Sequence, residues 1–468
     1  MYQRRGALAK NTQADSLTFA KPPLHWTSSR GERGLPLTRR NTAICRDESG
    51  TISFIRPETS AAALQCKRGI SVPIQAQTLS TGRYYRPELD VLRFVAFLLV
   101  FLSHTMPSAS DPRVQHLLHG FAPAVDTLTD GCGFGLSLFF VLSAFLICEL
   151  LVRERESTGT AAVRQFYIRR ILRIWPLYYL ALALGTIVEI RTGSQPGGMV
   201  GIGWFAIFMG AWYINIHGWI SNPVVPLWSV SVEEQFYLFA PWIVKYFSRK
   251  SLYGFCTALA LVSNSWLYCL GKTAIKDYRV WTNSFVQFEC FAAGILICLF
   301  LRGRLPRMAT WQRVSLVAFS LCCLFVTCYE LHPRFGFSGT RNPGSWPLMW
   351  GYALTSLSCS LLLVAFLGAD AQLFPKWAIY LGRISYGLYV FHGFAIHATD
   401  YFVIGYFAAH KSPLIRLLQG PIYILNIGLT FGLTILMAAL SYRFFETPFL
   451  KMKKRHAVIE SQPITGTN

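Results

Sequence analysis

Residues 87–104, PELDVLRFVAFLLVFLSH, decide the fold class, because they form an apolar segment that carries a few ionisable side chains. A segment of about 20 such residues crosses a bilayer as one helix. Arg93 and His104 are eleven residues apart, which on a helix is three turns and roughly 16 Å along the axis. With Arg93 at the membrane interface, His104 is predicted to lie at least halfway across the hydrocarbon, on much the same face. Asp90 stands three residues before Arg93 and is expected to pair with it.

Apolar segments of similar length recur through the remainder of the chain and predict an all-α, polytopic membrane helix bundle. They indicate ten transmembrane helices, at 90–110, 131–151, 173–190, 227–246, 252–271, 283–301, 313–331, 348–368, 378–400 and 421–445. The composition agrees, with 53% hydrophobic and only 14% charged residues, whereas soluble domains carry about 25% charged residues. The composition therefore argues against a cytosolic enzyme, and the expected surrounding is the lipid bilayer.

The net charge of +21, from 44 basic and 23 acidic residues, has a membrane explanation. Lys and Arg accumulate in the cytoplasmic loops of multi-pass proteins, so no nucleic-acid partner is expected. Four basic breaks between spans are assigned to the cytoplasm: 153–170, 245–250, 302–313 and 451–455. Only two crossings fit between the first two breaks, although three apolar segments lie there. We therefore predict that 201–218 is a re-entrant or interfacial element and that both termini are cytoplasmic.

Three parts of the chain differ in composition. Residues 1–82 are rich in Arg, Ser, Thr, Gln and Pro without a periodic apolar face, which predicts a disordered basic extension. A transit peptide and a start codon assigned too far upstream are open alternatives. Residues 83–450 form the predicted transmembrane domain, and 451–468 form a short basic cytoplasmic tail. The cysteines lie mostly in apolar runs without metal-binding spacing, so free buried thiols and no metal are expected.

Some polar side chains lie within or beside the apolar segments. Burying a charge in the membrane costs free energy, so such a side chain indicates a functional site by default. His104 is a candidate general base, because a neutral imidazole suits that role near pH 7; a structural bundle histidine is the alternative. In RRILRIWPLYYL, residues 169–180, Arg170 and Arg173 share a helix face and match phosphate oxygens. The alternative is an ordinary topological charge cluster. Arg93 either joins this anion site or snorkels to the headgroups.

The segment PLWSVSVEEQFYLFAPW, residues 226–242, places adjacent carboxylates in an apolar helix beside 201–218. Glu233 and Tyr237 are four residues apart and face the same way. Two lipid-exposed carboxylates would be costly, so at least one of Glu233 and Glu234 is expected to face the interior. The alternative is that the helix begins at the membrane interface, which would account for one of the two carboxylates but not readily for both.

Two later motifs carry ionisable groups near predicted span ends. In YLGRISYGLYVFHGF, residues 380–394, His392 lies three residues after Tyr389 and is either its structural partner or a substrate contact. In SYRFFETPF, residues 441–449, Arg443 and Glu446 are expected to form an interfacial ion pair.

Taken together, these motifs resemble acyltransferase family 3, whose members are integral-membrane enzymes that acylate sugars and other hydroxyl acceptors. The pieces occur in the order that the family has them: PELDVLRFVAFLLVFLSH, GLSLFFVLSAFLI, RRILRIWPLYYL, LWSVSVEEQFY, LGRISYGLYVFH and SYRFFETPF. The resemblance covers about 83–452. The first motif and WSVSVEEQFY are specific in combination, whereas the other pieces are weak alone.

The resemblance implies transfer of an acyl group, by default acetyl, from cytoplasmic acyl-CoA to a hydroxyl of a glycan or another cell-envelope acceptor at the plasma membrane. No tightly bound cofactor is implied. His104 matches the family's catalytic position, as a base or as an acylated intermediate, and we expect Glu233 to orient its imidazole or to hold the acceptor. Arg93, Arg170 and Arg173 would bind the donor phosphates. The expected cavity-lining residues are Ser143, Trp228, Tyr237, Tyr389 and His392.

Two departures from the family pattern are expected to matter. Ser137 stands where the family often has Asp, which is expected to alter donor or acceptor preference. Ala144 stands where the family has Gly, and its methyl group is expected to narrow a close backbone approach. We identify no long hydrolase-like extracytoplasmic domain, which some members carry, so the membrane domain is expected to act alone or with a separate partner. A multi-pass transporter or flippase is the alternative function.

Overall fold

The computed structural model describes residues 43–46, 52–55, 85–106, 121–193, 197–273, 275–330, 340–341, 344–405 and 419–456. The chain divides into two units, residues 1–78 and 79–468. In the first unit, strands β1 (Ala43–Arg46) and β2 (Ile52–Ile55) pair antiparallel, with Ala43 opposite Ile55. Composition did not predict this pairing. The remainder of the segment predicted to be disordered, up to residue 82, lies outside the described residues.

The second unit is helical, as the sequence predicts. Its helices are α1 Pro87–Thr105, α2 Ala122–Cys132, α3 Gly135–Thr158, α4 Val163–Thr192, α5 Gly198–Ala206, α6 Gly210–His217, α7 Trp228–Tyr246, α8 Arg249–Leu270, α9 Asp277–Trp281, α10 Ser284–Leu301, α11 Thr310–Glu330, α12 Ser345–Phe366, α13 Lys376–Arg383, α14 Ser385–Thr399, α15 Gln419–Leu440 and α16 Thr447–Lys454. Short 3₁₀ turns lie at Val225–Leu227 and Ala371–Leu373, and π-helical turns at Asp400–Ile404 and Ser441–Glu446. The two-residue strands β3 (Ile275–Lys276) and β4 (Thr340–Arg341) pair antiparallel.

Six helical stretches in the described part of the chain are long and apolar enough to cross a membrane. They are Gly135–Thr158, Val163–Thr192, Ser284–Leu301, Thr310–Cys328, Ser345–Phe366 and Gly420–Lys454. Large apolar side chains stay exposed on outer helix faces, among them Phe239, Phe300 and Ile424, as expected where lipid and not water surrounds the protein. The chain is therefore a multi-pass membrane protein.

The count of ten spans is not confirmed, and four predicted spans lack a qualifying helix for identifiable reasons. Helices α1 and α7 carry three charged side chains each. In α8, serines and Asn264 lower the mean hydropathy. The predicted span 378–400 is broken at Ile384 into α13 and α14, which are 8 and 15 residues long. A separate difference concerns the predicted span 173–190, which does lie in one of the six qualifying helices. The prediction begins too late, because α4 starts at Val163 and includes the basic residues that were assigned to a loop.

The segment 201–218, predicted not to cross, contains two short helices. Helices α5 and α6 have nine and eight residues, and the break between them contains Phe208 in a left-handed conformation with φ of 57°. Neither helix approaches the ~20 residues needed for a crossing. The Tyr178 hydroxyl donates to the carbonyl oxygen of Phe205 at 2.7 Å, so α4 supports the end of α5.

Some basic residues in the predicted cytoplasmic breaks cap helix ends. Arg155 donates to the carbonyl oxygens of Val244 and Phe247 at the end of α7, at 2.6 and 2.9 Å. Arg313 donates in the same way to Ala365 and Leu367 at the end of α12. Because the last carbonyls of a helix lack internal donors and carry partial negative charge, these arginines have a structural role.

Helix α1 lies in the centre of the unit and packs against α3, α13 and α14. Its residues Leu92, Ala96 and Phe97 are fully buried. Two glycines permit the close approach of its neighbours: a Cβ at Gly382 of α13 would overlap the backbone carbonyl oxygen of Asp90, and one at Gly135 of α3 would overlap that of Ala96. The position of α1 therefore depends on glycine at both contacts.

The methyl group of Ala144, where the family has Gly, finds space against another helix. Ala144 is buried, and its methyl group faces Gly294 of α10, where an added Cβ would lie 2.8 Å from it. The close approach between α3 and α10 is therefore kept by a glycine on the partner helix. Ser137 is buried as well.

We expect Gly382→Ala to destabilise the protein, because the new methyl group must displace the α1 backbone. Overpacking of this kind costs about 1–3 kcal/mol. The matched control is Gly432→Ala on α15, where an added Cβ meets no atom within 4 Å. Thermal unfolding in detergent should show a lower melting temperature for Gly382→Ala and no decrease for Gly432→Ala. Equal melting temperatures would contradict the packing described for α1.

Candidate active site

Two adjoining cavities lie along α1. The first is lined by Asp90 and Arg93 from the start of α1, and the second by Val100, Ser103 and His104 from its end. Two side chains, Leu136 and Tyr389, line both cavities. These two residues form the partition between the cavities, a term used below for this pair.

The first cavity is strongly basic. Its charged lining residues are Arg86, Asp90, Arg93, Glu154, Arg169, Arg170, Arg173, Glu233 and Lys453. Asp90 is almost fully buried and accepts a hydrogen bond from Arg93 at 2.7 Å, which confirms the expected pair. Tyr85 also donates to Asp90, at 3.1 Å, and Arg383 donates to the Tyr85 hydroxyl. Arg93 is thus held against the cavity wall.

Helix α4 supplies three arginines to the first cavity. Arg169 forms an ion pair with the buried Glu154 of α3. The Arg170 guanidinium lies over the rings of Phe166 and Tyr237, 5.5 and 5.4 Å from their centroids. Arg173 lies one turn further on and lines the same cavity. The predicted donor-binding residues Arg93, Arg170 and Arg173 are therefore brought together on one wall.

Glu233 lines the first cavity and bridges two helices. It accepts hydrogen bonds from Ser143 of α3 at 2.8 Å and from Tyr237 of α7 at 2.9 Å. Its neighbour Glu234 accepts a bond from the Trp175 indole at 3.3 Å. Both carboxylates thus have partners inside the bundle, including the expected Glu233–Tyr237 contact. These two hydroxyl groups hold Glu233 in the first cavity, whereas His104 lines the second, so the orientation of the His104 imidazole by Glu233 stays a prediction.

His104 is accessible from the second cavity. Its Nδ1 lies 2.7 Å from the backbone carbonyl oxygen of Val100 and 3.3 Å from the Ser103 hydroxyl. A carbonyl oxygen only accepts, so Nδ1 carries the proton and Nε2 carries the lone pair of the neutral ring. Backbone geometry within α1 therefore selects the tautomer in which Nε2 is the basic nitrogen.

His392 does not line either cavity, which corrects its predicted place. It is completely buried, and its Nδ1 donates to the carbonyl oxygen of Tyr389 at 2.5 Å. Its ring packs against the rings of His104 and Phe97, with centroids 5.2 and 6.3 Å away. The buried His392 ring therefore packs against the His104 ring and supports its position.

Tyr389 is fixed in the partition by two hydrogen bonds. It donates to the carbonyl oxygen of Pro226 at 2.7 Å, so the Ser229 hydroxyl, 2.6 Å away, is its donor. The Tyr389 ring also packs against Phe139. The partition is closed by groups from α3, α14 and the turn before α7.

The second cavity also contains residues that the motifs did not single out. Trp228 was predicted to line a substrate cavity and does so, beside Trp219 and Trp281. Asp126 of α2 and His397 of α14 add polar groups. Only the fold brings these residues to His104, since α2, α9 and the end of α14 are remote from it in sequence. Ser137 and Ala144, the two positions that depart from the family pattern, line neither cavity.

Within the described residues, no group of three or more potential ligands could hold a metal ion. Ten cysteines there are free, and most are buried, although Cys269 and Cys322 are exposed. The ion pair predicted between Arg443 and Glu446 does not form. Glu446 accepts from Ser441 at 3.1 Å inside a π-helical turn, and Arg443 is exposed with its guanidinium over Phe444.

The chain is similar to curated proteins that are named O-acetyltransferases. The peptidoglycan O-acetyltransferase OatA of Listeria monocytogenes is 24% identical over 408 residues, covering 80% of this chain and 57% of that protein. The O-acetyltransferase OatA of Staphylococcus aureus is 24% identical over 389 residues, covering 78% and 57%. The chain thus spans less than three-fifths of the length of these relatives. No solved structure matches.

A family model described as an acyltransferase domain matches residues 86–446. This range contains α1, the second cavity, the partition and most of the lining of the first cavity, and it ends at the last residue of the π-helical turn before α16. The match covers most of the chain, and the chain therefore belongs to this family of membrane acyltransferase domains, acyltransferase family 3.

Proposed function

We propose that this protein is an integral-membrane O-acyltransferase that moves an acyl group, by default acetyl, from acyl-CoA to a hydroxyl acceptor of the cell envelope. The observation that carries the proposal is the arrangement along α1, where Arg93 at one end joins the arginines of α4 in a basic cavity and His104 at the other end presents an accessible imidazole. A phosphate-bearing donor suits the first feature and proton transfer suits the second. The transporter alternative is not adopted, because the family match is to an acyltransferase domain.

The donor enters the first cavity. The phosphates of CoA lie against Arg93, Arg170 and Arg173, whose planar guanidinium groups match phosphate oxygens. The pantetheine arm then extends along α1 and carries the thioester past Leu136 and Tyr389 toward His104. The ~16 Å rise between Arg93 and His104 is within the reach of this arm. Opening of the Tyr389 hydrogen bonds to Ser229 and Pro226 accompanies its passage.

His104 Nε2 accepts the proton of the acceptor hydroxyl as the hydroxyl oxygen attacks the thioester carbonyl carbon. The new C–O bond forms, the C–S bond breaks, and the CoA thiolate leaves and takes the proton back from the imidazolium. The Val100 carbonyl holds the ring in the tautomer that this step needs. Glu233 acts on the donor side, because it lines the first cavity with Ser143 and Tyr237.

The acceptor occupies the second cavity. Three indole rings, those of Trp219, Trp228 and Trp281, line it together with Asp126 and His397. Flat aromatic surfaces beside a few polar groups suit a sugar ring, which has apolar faces and polar edges. The names of the relatives, which include a peptidoglycan O-acetyltransferase, support a glycan acceptor here.

For the membrane arrangement we propose ten spans in the plasma membrane with both termini cytoplasmic, and with α5 and α6 not crossing. The basic ends of the helices, rich in Lys and Arg at 153–170, 302–313 and 451–455, support this orientation. Protease-cleavable tags added before Met1 and after Asn468 should be cut in inverted vesicles and protected in intact cells. Cleavage of either tag on intact cells would contradict the topology.

His104→Ala is expected to lower kcat at least about 100-fold, the range of a general base. Binding of CoA should be unchanged, because His104 lines the other cavity. The control is His217→Ala, an exposed histidine on α6. Activity is measured as transfer of labelled acetyl from acetyl-CoA by protein in vesicles. Wild-type turnover in His104→Ala would remove the histidine from the mechanism.

Replacement of Arg170 and Arg173 by Gln should raise the KM for acetyl-CoA by about tenfold or more for each cation lost. The KM for acetyl-pantetheine, which has no phosphate, should not change. Arg164→Gln is the control, since Arg164 is exposed on the same helix. If a substitution changed the KM for acetyl-CoA and the KM for acetyl-pantetheine equally, these arginines would not bind phosphate. The same conclusion would follow if Gln at Arg164, Arg170 and Arg173 changed the KM for acetyl-CoA equally.

A further inference from the structure

One cation of the first cavity lies outside the matched family range. Lys453 belongs to α16, seven residues beyond the end of the match at 446, and the sequence assigned it to the cytoplasmic tail. Its side chain lines the first cavity together with the arginines of α1 and α4. The neighbouring Lys451 and Lys454 are exposed, whereas Lys453 is partly buried.

The position of Lys453 follows from a long continuous helix. Residues Gly420–Lys454 form one helical stretch of 35 residues, which is roughly 52 Å long and exceeds the ~30 Å hydrocarbon core. Its last turns therefore extend past the hydrocarbon. There α16 packs against α4, and Arg169 donates to the carbonyl oxygen of His456 at 3.1 Å. These contacts turn Lys453 toward the cavity.

The charges around Lys453 are not balanced. Among the cavity-lining cations, Arg93 pairs with Asp90, Arg169 with Glu154, and Arg86 with Glu88. Arg170, Arg173 and Lys453 have no carboxylate within ion-pair distance among the described residues. Lys453 interacts electrostatically with Arg173, Arg170, Arg93 and Arg169, all of like sign. Like charges held together and partly removed from water repel, so the cluster is suited to a ligand with several negative charges.

We infer that Lys453 is a phosphate-binding residue of the donor site, so that the C-terminal helix forms one wall of the acyl-CoA cavity. This inference rests on the proposed function. Anionic phosphate ester groups are common to acyl-CoA and to anionic lipid headgroups, and both can reach a cation at the cytoplasmic interface. Partial burial inside a cavity shared with Arg170 and Arg173 favours the soluble donor over a headgroup.

The test measures the dissociation constant of CoA for the full chain in neutral phosphatidylcholine vesicles, without turnover. Lys453→Gln should weaken CoA binding about tenfold, whereas Lys453→Arg, which keeps the charge, should bind as wild type does. Lys451→Gln is the matched control, because Lys451 lies two residues away on the same helix and is exposed. In the transfer assay, Lys453→Gln should leave the KM for acetyl-pantetheine unchanged.

Each other outcome has a defined meaning. Equal CoA affinities for Lys453→Gln and wild type would overturn the inference and leave the proposed function intact. Weakening that also appears with acetyl-pantetheine would assign Lys453 a structural role. An effect seen only when phosphatidylglycerol is added would assign it to lipid. If the wild-type protein binds no CoA and transfers no acetyl group, the proposed function itself fails and the inference falls with it.

Discussion

The fixed rise of helix α1 sets the geometry on which the rest of the site depends. Arg93 and His104 are three turns apart on one rigid element, so a ligand that meets both must span that distance. The buried Asp90 holds Arg93 at one end, and the Val100 carbonyl orients His104 at the other. Because Gly382 and Gly135 let neighbouring helices contact the α1 backbone directly, α1 cannot shift without disturbing both cavities.

The surrounding helices complete the two ends separately. Helix α4 supplies the arginines of the first cavity, and Glu233 links α7 to Ser143 of α3 beside them. The second cavity is built from α1, α2, α9, α14 and the turn before α7. Leu136 and Tyr389 stand between the cavities. The site is thus divided into a basic half and an aromatic half, with the imidazole on the aromatic side.

Local spacing was sufficient to predict contacts within one helix. The Asp90–Arg93 pair and the Glu233–Tyr237 hydrogen bond follow from three- and four-residue spacing, and both form. The Arg443–Glu446 pair fails because a π-helical turn at 441–446 changes that spacing. The late start predicted for α4 fails because arginines were assigned to a loop, although long basic side chains are compatible with a helix that extends beyond the hydrocarbon.

Contacts between distant helices could not be predicted from spacing. Nothing in the sequence placed His392 behind His104, closed the partition with Tyr389, or brought Lys453 to the arginines of α4, because these depend on how helices pack. The proposed mechanism requires one donor molecule to span both cavities. Its most direct test is a structure of the protein with a non-hydrolysable acetyl-CoA analogue. We expect the phosphates beside Arg170 and Arg173 and the acyl carbonyl beside His104 Nε2. Phosphates elsewhere, or an acyl group retained in the first cavity, would contradict the proposed mechanism.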